Sequence, residues 1–258
     1  MSSGRPSPHV VVKHTAEEAT WAATEMVKQI ICESAGEDAV CRVALAGGTT
    51  PHGLYLMLAG AAISGEVPWH NVEVFFGDER DVPQDHVESN YHMAQRALLD
   101  HVPIQPQHIH PMPADAGELA AAAADYEATV RRIVPAESDG DLPAFDLILL
   151  GMGGDGHVAS LFPETEALDE QDKLVTAYFV PVLGRWRMTF TFGLINAARN
   201  VVFLVTGGDK AEAVATLLAD DTSARGRLPA ARVCPTHGKL SLVLDTPAAR
   251  LAGLRADD

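Results

Sequence analysis

Short apolar segments of strand length alternate with amphipathic helical segments along the chain, and this alternation restricts the fold more than any other feature. The predicted strands are Val10–Lys13, Cys41–Ala46, Val72–Phe76, Phe145–Leu150, Leu174–Pro181, Arg187–Phe192, Val201–Thr206 and Leu240–Leu244. A first helix is predicted from an N-cap at Thr15 to about Ser34, and others over His52–Ala62, Asn90–Leu99, Ala114–Ile133 and Asp209–Ala219. Such alternation is typical of an α/β fold with a mostly parallel sheet and helices on both faces.

The same pattern bears on domain organisation. Phe145–Leu150 is apolar throughout, as expected for a strand covered on both faces. No internal repeat and no obvious linker divides the 258 residues. The simplest arrangement is one doubly wound domain over residues 1–258, with or without a small appended lobe.

The charge balance limits the ligands that the chain can bind. It has 35 acidic and 19 basic residues, which give a formal net charge of −16. Nucleic acid binding depends on Lys and Arg side chains that neutralise phosphates, so this composition argues against it. An anionic ligand is repelled at long range, and a site for one must therefore be built locally from backbone N–H groups and a few cations.

Compartment and metal content follow from the apolar runs and the cysteines. The apolar runs fall short of the roughly 20 residues of a membrane span, and the N-terminus has no apolar core like that of a secretory signal. Cys32, Cys41 and Cys234 lack zinc or redox spacing and are predicted to be small buried hydrophobic residues. We expect a soluble cytoplasmic protein with no membrane partner and no metal site.

Three unusual clusters follow predicted strands: Gly47–Pro51, Gly77–Arg80 and Gly151–His157. Ligands of open parallel sheets bind beyond the carboxyl ends of the strands. Structural glycine turns could produce any one of these clusters. Three at strand ends indicate a functional site.

The first cluster suits an anion. Gly47 and Gly48 allow the backbone to approach a ligand closely, and a helix N-terminus beyond them offers N–H groups to a phosphate. The hydroxyl groups of Thr49 and Thr50 add donors. The segment fits neither the GxxxxGK[ST] loop nor GxGxxG, and a glycine turn with a Thr helix cap explains it equally well.

The second cluster, Gly77–Arg80, is rich in charge. Its carboxylates, including that of Asp78, can act as acid or base, and Arg80 can hold an anion or a developing oxyanion. On composition alone, however, an exposed and self-paired charge run explains this segment better.

The third cluster, Gly151–His157, is the most informative. Its glycines surround Asp155 and His157. The imidazole of His157 can accept a proton from water near neutral pH, and the Asp155 carboxylate can orient it. Metal binding would need further ligands, and a purely structural histidine is the alternative.

Two further basic groups are weaker candidates. Lys210 follows Gly207-Gly208-Asp209 at a predicted strand end and can reach an anion at the next helix, although a lysine there is commonly just solvated. Arg185 and Arg187 flank Trp186. They are either a second anion contact or the basic rim of an ordinary strand.

Taken together, these segments resemble the 6-phosphogluconolactonase family, within a group that includes glucosamine-6-phosphate deaminases and ribose-5-phosphate isomerases. The matching segments cover nearly the whole chain in family order, and the longest is the most specific. They are Leu45–Pro51, Phe75–Arg80, Ser89-Asn90, Asp146–Pro163, Arg185–Thr189, Gly207–Ala211 and Leu228–Ala230.

The resemblance implies a Rossmann-like sheet and the hydrolysis of 6-phosphogluconolactone to 6-phosphogluconate, the second step of the oxidative pentose phosphate pathway, without a cofactor. It implies that His157 is the general base, that Asp155 positions it and that Arg80 holds the substrate or its oxyanion. The substrate, a small sugar-phosphate lactone, is then bound by Gly47, Gly48, Thr49, Thr50, Asp78, Lys210 and Arg185 or Arg187. We expect a monomer or weak homodimer.

Two other functions remain open on this scaffold. In the deaminase relatives the second cluster contains DEY, and the segment that continues from the third cluster has an acidic residue directly before its proline. Arg80 and Phe162 occupy those positions here and favour the lactonase. A non-catalytic sugar-phosphate sensor would lack Asp155 and His157 or carry a basic extension. No GxSxG surrounds Ser160, so an acyl-enzyme is not expected.

Overall fold

The computed structural model describes residues 7–37, 39–138, 140–219 and 226–256. Its strands are β1 (His9–Lys13), β2 (Cys41–Leu45), β3 (Val72–Phe76), β4 (Asp78–Arg80), β5 (Leu147–Leu150), β6 (Val175–Val180), β7 (Arg185–Phe190), β8 (Asn200–Val205) and β9 (Lys239–Asp245). Six of them form a parallel sheet in the order β1-β9-β8-β5-β2-β3, and the other three form an antiparallel sheet in the order β4-β7-β6.

The helices described lie between these strands along the chain, except the last, which follows β9; this order confirms the predicted α/β fold. They are α1 (Ala16–Ser34), α2 (Thr49–Ala59), α3 (Ala61–Ser64), α4 (Asn90–Ala97), α5 (Leu119–Ile133), α6 (Phe192–Ala197), α7 (Ala211–Leu218) and α8 (Thr246–Ala249). The predicted cap at Thr15 is present, because Thr15 and Glu18 form a capping box at the start of α1.

The centre of the parallel sheet is apolar on both faces. All four residues of β5 are buried, and only Asn200 of β8 is partly exposed. Strands covered on both faces show continuous apolar runs instead of alternation. The apolar run that begins at Phe145 thus forms a central strand, as predicted.

The strand order reverses between β2 and β5. From β2 the chain crosses to β3 at one edge of the sheet, whereas from β5 it moves through β8 to β9 on the other side. Adjacent strands whose connections leave in opposite directions open a crevice at their carboxyl ends. The turns after β2 and β5 contain Gly47-Gly48 and Gly151–His157.

The second sheet is the main departure from the predicted parallel arrangement. The chain leaves β3 at Gly77, whose N–H donates to Leu45 O at 2.9 Å and whose carbonyl accepts from Phe190 N at 2.8 Å. The segments predicted as Leu174–Pro181 and Arg187–Phe192 form a hairpin here, closed by a loop in which Gly184 has φ 62°. This sheet matches the small appended lobe, while the single domain over 1–258 stays a prediction.

Two predicted helices have different boundaries, and a glycine lies beside or within each difference. Helix α2 begins at Thr49, not His52, and ends at Ala59 because Gly60 is extended, with ψ 139°. Helix α5 begins at Leu119, not Ala114, and Gly117 lies in the excluded stretch. Glycine loses more conformational freedom in a helix than other residues do.

The three cysteines differ in their exposure. Cys41 is buried, Cys234 is half-buried and Cys32 is exposed, so the prediction of burial is wrong for Cys32. The buried face of α1 passes through Ile31, and the next residue along a helix points about 100° away. Among the described residues, no helix is long and apolar enough to cross a membrane.

Candidate active site

A cleft of about 230 Å³ lies at the carboxyl ends of the parallel strands. It is at the switch point, the place between β2 and β5 where the strand order reverses. Eight residues predicted for the site line it: Gly47, Gly48, Thr49, Thr50, Asp78, Arg80, His157 and Lys210. The further lining residues Pro51, Gly151, Met152 and Gly153 lie in the predicted clusters without having been named as site residues. Besides Lys210, the lining residues outside the three clusters are Ala46, Ala159, Leu204, Val205 and Thr206.

The turn after β2 gives the cleft a helix N-terminus. Gly48 has φ 101° and precedes the first residue of α2, and the first N–H groups of a helix have no partners within it. No side chain caps this end, so the alternative of a Thr helix cap is wrong. Thr50 Oγ1 lies 3.2 Å from Thr206 Oγ1, which joins this turn to the one after β8.

The charged segment after β3 is not an exposed run. Asp78 and Glu79 are only 7% and 2% exposed. Glu79 accepts hydrogen bonds from the backbone N–H groups of Asn90 at 2.8 Å and Tyr91 at 2.9 Å. Burial raises the pKa of Glu79, and these backbone hydrogen bonds oppose the shift. Glu79 therefore anchors the N-terminus of α4 and leaves Asp78 and Arg80 to face the cleft.

Asp78 is fixed by two side chains that sequence reasoning did not assign to the site. Its Oδ2 accepts from Ser160 Oγ at 2.7 Å, and its Oδ1 accepts from Asn90 Nδ2 at 3.2 Å. The Asn90 side chain also fills the space beside Gly47, where an added Cβ would lie 1.9 Å from Asn90 Oδ1. Both residues lie in segments that carry the family resemblance, and that resemblance is the sequence signal that could have identified them.

His157 and Asp155 form the predicted imidazole–carboxylate contact. His157 Nδ1 is 2.6 Å from Asp155 Oδ1, and the His157 backbone N–H donates to the same oxygen at 3.1 Å. Partial burial raises the pKa of Asp155, but the bonds from His157 outweigh it and the pKa is lowered. Asp155 itself lies outside the cleft lining. With Nδ1 donating to the carboxylate, Nε2 is left as the proton acceptor.

The loop that carries His157 packs against the segment Leu228–Ala230. Gly156 has φ 79°, and an added Cβ would lie 2.0 Å from Leu228 Cδ1. The Gly156 carbonyl accepts from Ala230 N at 2.9 Å. The Leu228–Ala230 segment of the family resemblance therefore supports this loop.

The cations are placed unequally. Lys210 lines the cleft and pairs at 2.9 Å with the exposed carboxylate of Asp209. Arg185 and Arg187 are not among the lining residues. Arg185 pairs with Glu88 at 2.7 Å on the surface, and Arg187 lies opposite Arg80 in the β4–β7 ladder. Burial, together with the charge of Arg80, lowers the pKa of Arg187.

The chemistry available in the cleft is proton transfer and anion binding. A helix N-terminus, Arg80 and Lys210 can bind negative charge, and His157 can accept a proton. Within the described ranges, no three His, Cys, Asp or Glu side chains form a group that could hold a metal ion. Such a site at the switch point of a doubly wound sheet is that of an α/β enzyme for a small anionic substrate.

Known proteins place the chain within one family of such enzymes. Residues 14–242 match the family described as glucosamine-6-phosphate isomerases/6-phosphogluconolactonase, and the chain belongs to it. It is 45% identical over 206 residues to a 6-phosphogluconolactonase of Synechocystis sp., covering 80% of this chain and 82% of that protein. It is 37% identical over 254 residues to a probable 6-phosphogluconolactonase 2 of Oryza sativa subsp. indica, covering 95% and 90%.

The fold agrees with a solved member of the family. The structure of 6-phosphogluconolactonase from Trypanosoma brucei superposes with a TM-score of 0.83 at 31% sequence identity. The match covers 95% of this chain and 98% of that one.

Proposed function

We infer that this chain hydrolyses 6-phospho-D-glucono-1,5-lactone to 6-phospho-D-gluconate, the second step of the oxidative pentose phosphate pathway. The observation that carries this conclusion is His157, which Asp155 contacts at Nδ1 and which lines a cleft together with a helix N-terminus, Arg80 and Lys210. Relatives that share 37–45% of the sequence over most of its length are named as this enzyme or its probable form.

His157 acts as the general base in this mechanism. Its Nε2 takes a proton from a water molecule while that water attacks the lactone carbonyl, and the proton then passes to the ring oxygen as the C–O bond breaks. Asp155 holds Nδ1 and stabilises the imidazolium in between. General base catalysis commonly contributes about 100-fold or more, which is substantial for an ester that already hydrolyses slowly in water.

Arg80 stabilises the oxyanion that forms at the carbonyl. Its planar charged fork suits an anionic oxygen, and its main chain is fixed because Arg80 N donates to Glu79 Oε1 at 2.8 Å. The Asp78 side chain lines the same cleft, and its carboxylate oxygens suit the sugar hydroxyl groups instead of the phosphate. The neighbouring Arg187 adds positive potential from outside the lining.

The 6-phosphate binds at the opposite turns of the cleft. The backbone of Gly47-Gly48, the hydroxyl groups of Thr49 and Thr50, and the Lys210 ammonium supply its donors. These groups come from the turns after β2 and β8, which the Thr50–Thr206 contact joins. Arg185 pairs with Glu88 outside the cleft lining and is a weaker candidate than Lys210, which lines the cleft.

The isomerase or deaminase alternative needs proton transfer between adjacent carbons and a group that opens the sugar ring. Phe162 cannot titrate, and Arg80 replaces the tyrosine of the DEY pattern. The absence of nucleic acid partners, the cytoplasmic location and the monomeric or weakly dimeric state stay predictions.

The decisive experiment is a side-by-side assay of one enzyme preparation. Freshly made 6-phosphogluconolactone, with spontaneous hydrolysis subtracted, is expected to be hydrolysed rapidly, while glucosamine 6-phosphate releases no detectable ammonia. His157→Asn is expected to lower kcat by about 100-fold or more without unfolding the chain. Ammonia release at a comparable rate would overturn the assignment, and near-normal turnover of His157→Asn would remove His157 as the base.

A further inference from the structure

The imidazole of His157 contacts other groups besides the Asp155 carboxylate. The ring of Phe162 stacks on it with centroids 4.2 Å apart and planes inclined by 28°. Phe162 is only 7% exposed, so its ring is held in place. The backbone of Gly153 also lies against the imidazole, since a Cβ there would be 2.1 Å from His157 Nδ1.

The stacked ring has an electrostatic consequence. The face of an aromatic ring is negative, and it attracts a cation within about 6 Å of its centroid. A neutral imidazole gains little from this field, whereas an imidazolium gains more. The 4.2 Å contact therefore places the Phe162 face where it can attract positive charge on the His157 ring.

We propose that Phe162 is a positioning residue that fixes the His157 ring and stabilises, through its aromatic face, the imidazolium formed during water attack. The proposal rests on the proposed function, because it assigns Phe162 a part in the proton transfer that His157 performs there. The expected contribution to kcat is about 2- to 30-fold, the range of cation–π attraction between exposed and desolvated sites.

Because Phe162 carries no charge, it affects the protonation of His157 less than an acidic side chain would. A carboxylate at this position would add a second negative charge beside the Asp155–His157 pair. That second charge would favour the imidazolium before the water attacks, which opposes the use of His157 as a base. An uncharged aromatic face gives a smaller bias, which helps the imidazolium without depleting the neutral base.

Other charged groups also act on His157 and are unchanged in the test. Asp155 contacts Nδ1 from the same turn. Asp78 and Arg80 from β4, and Lys210 from the turn after β8, line the same cleft. Only the ring at position 162 is altered, so a difference between variants reports on that ring.

The test compares Phe162→Leu, which removes the aromatic face, with Phe162→Tyr, which keeps it. Phe192→Leu is the matched control, because Phe192 is also 7% exposed but its ring faces the Arg232 guanidinium at 4.6 Å. Each variant is assayed for kcat against pH. The His157 ring is also titrated by NMR in substrate-free enzyme, with the signal assigned from His157→Asn.

In Phe162→Leu, kcat is expected to fall about 2- to 30-fold, and both the acid limb of its pH profile and the His157 titration should move to lower pH. Phe162→Tyr should retain both, and Phe192→Leu should move neither. Phenylalanines with increasing ring fluorination at position 162 keep the shape while weakening the ring field. They should lower kcat progressively, and they decide the matter if Phe162→Leu does not fold.

An unchanged titration and pH profile in Phe162→Leu, or in the fluorinated series, would overturn the proposal and leave Phe162 as packing. Failure of the proposed function is a different result. The unsubstituted enzyme would then not hydrolyse the lactone, while the NMR titration would still report the effect of the ring on His157.

Discussion

At the level of single residues, the His157–Asp155 pair combines a short contact with considerable exposure. The side chains are 32% and 47% exposed. An ion pair that is this open to water contributes only about 0–1 kcal/mol to stability. The pair is therefore better understood as a means of orienting the imidazole than as a stabilising feature of the fold.

Asp155→Asn is expected to lower kcat by about 10-fold or more, since part of the general-base contribution depends on the charged partner. The pKa of Asp155 is lowered in the folded state, so its contribution to stability is present above the ordinary value of 3.8 and is lost as pH falls through the lowered pKa. Urea unfolding should show a small deficit at neutral pH that shrinks below pH 3.8. A deficit that grows in acid would contradict this assignment.

Lys210→Ala is expected to raise KM for the phosphorylated lactone by about 10- to 100-fold, the equivalent of one charge-assisted hydrogen bond. KM for unphosphorylated gluconolactone should change little. Lys239→Ala serves as the control, because Lys239 lies at the first residue of β9, away from the carboxyl edge. Equal losses on both substrates would mean that the phosphate binds elsewhere.

At the level of elements, strand β4 illustrates what a sequence pattern can and cannot predict. Strands β5 and β8 can be predicted from their apolar runs, because a strand buried on both faces needs only apolar side chains. The Asp78–Arg80 segment looks exposed because it is charged. Its carboxylates are buried only because donors arrive from elsewhere in the chain, such as Ser89 and Asn90. No local pattern shows that such partners exist.

Part of the candidate site could likewise be predicted from the sequence, and part could not. The turns that carry Gly47 and His157 were predictable, because they directly follow strong strand signals and such turns meet at one edge of a parallel sheet. The positions of Arg185 and Arg187 outside the cleft lining were not. They depend on the register between β4 and β7, which sets Arg187 opposite Arg80.

Gly153→Ala tests the turn after β5. An added Cβ would lie 2.1 Å from His157 Nδ1 and 2.4 Å from Asp155 Oδ1, so the pair must move. We expect kcat to fall by about 100-fold or more with circular dichroism unchanged. Gly117→Ala is the control, since an added Cβ there meets nothing within 4 Å. Full activity in Gly153→Ala would show that catalysis does not need this geometry.

At the level of the whole molecule, the cleft exists only where the two sheets meet. Asp78 belongs to the antiparallel sheet, while Ser160 follows β5 of the parallel one, 82 positions later. The molecule carries a net charge of −16 and repels an anionic substrate at long range. The cleft lining contains the cations Arg80 of β4 and Lys210 beyond β8, and we propose that they offset this repulsion when substrate binds.

Ser160→Ala tests this junction and the role of the serine together. Ser160 is 1% exposed, and its hydroxyl donates to the buried Asp78 carboxylate at 2.7 Å. Its removal leaves a buried acceptor without that donor, which should lower the free energy of unfolding by about 1–3 kcal/mol. Because the hydroxyl is committed to Asp78, we expect a partial loss of activity, with a raised KM as Asp78 shifts.

An acyl-enzyme route predicts a different outcome for the same variant. If Ser160 were the nucleophile, Ser160→Ala would abolish turnover, and the ring-opened sugar acid would be held on the enzyme as an ester of Ser160. Opening a lactone releases no separate leaving group, so this ester retains the whole substrate and adds its mass to the chain. Rapid quenching of enzyme mixed with substrate, followed by mass spectrometry of the chain, separates the two routes, because direct attack by water forms no such adduct. An adduct together with an inactive Ser160→Ala would replace His157-activated water with covalent catalysis. No adduct and residual activity would leave Ser160 as a structural link between the two sheets.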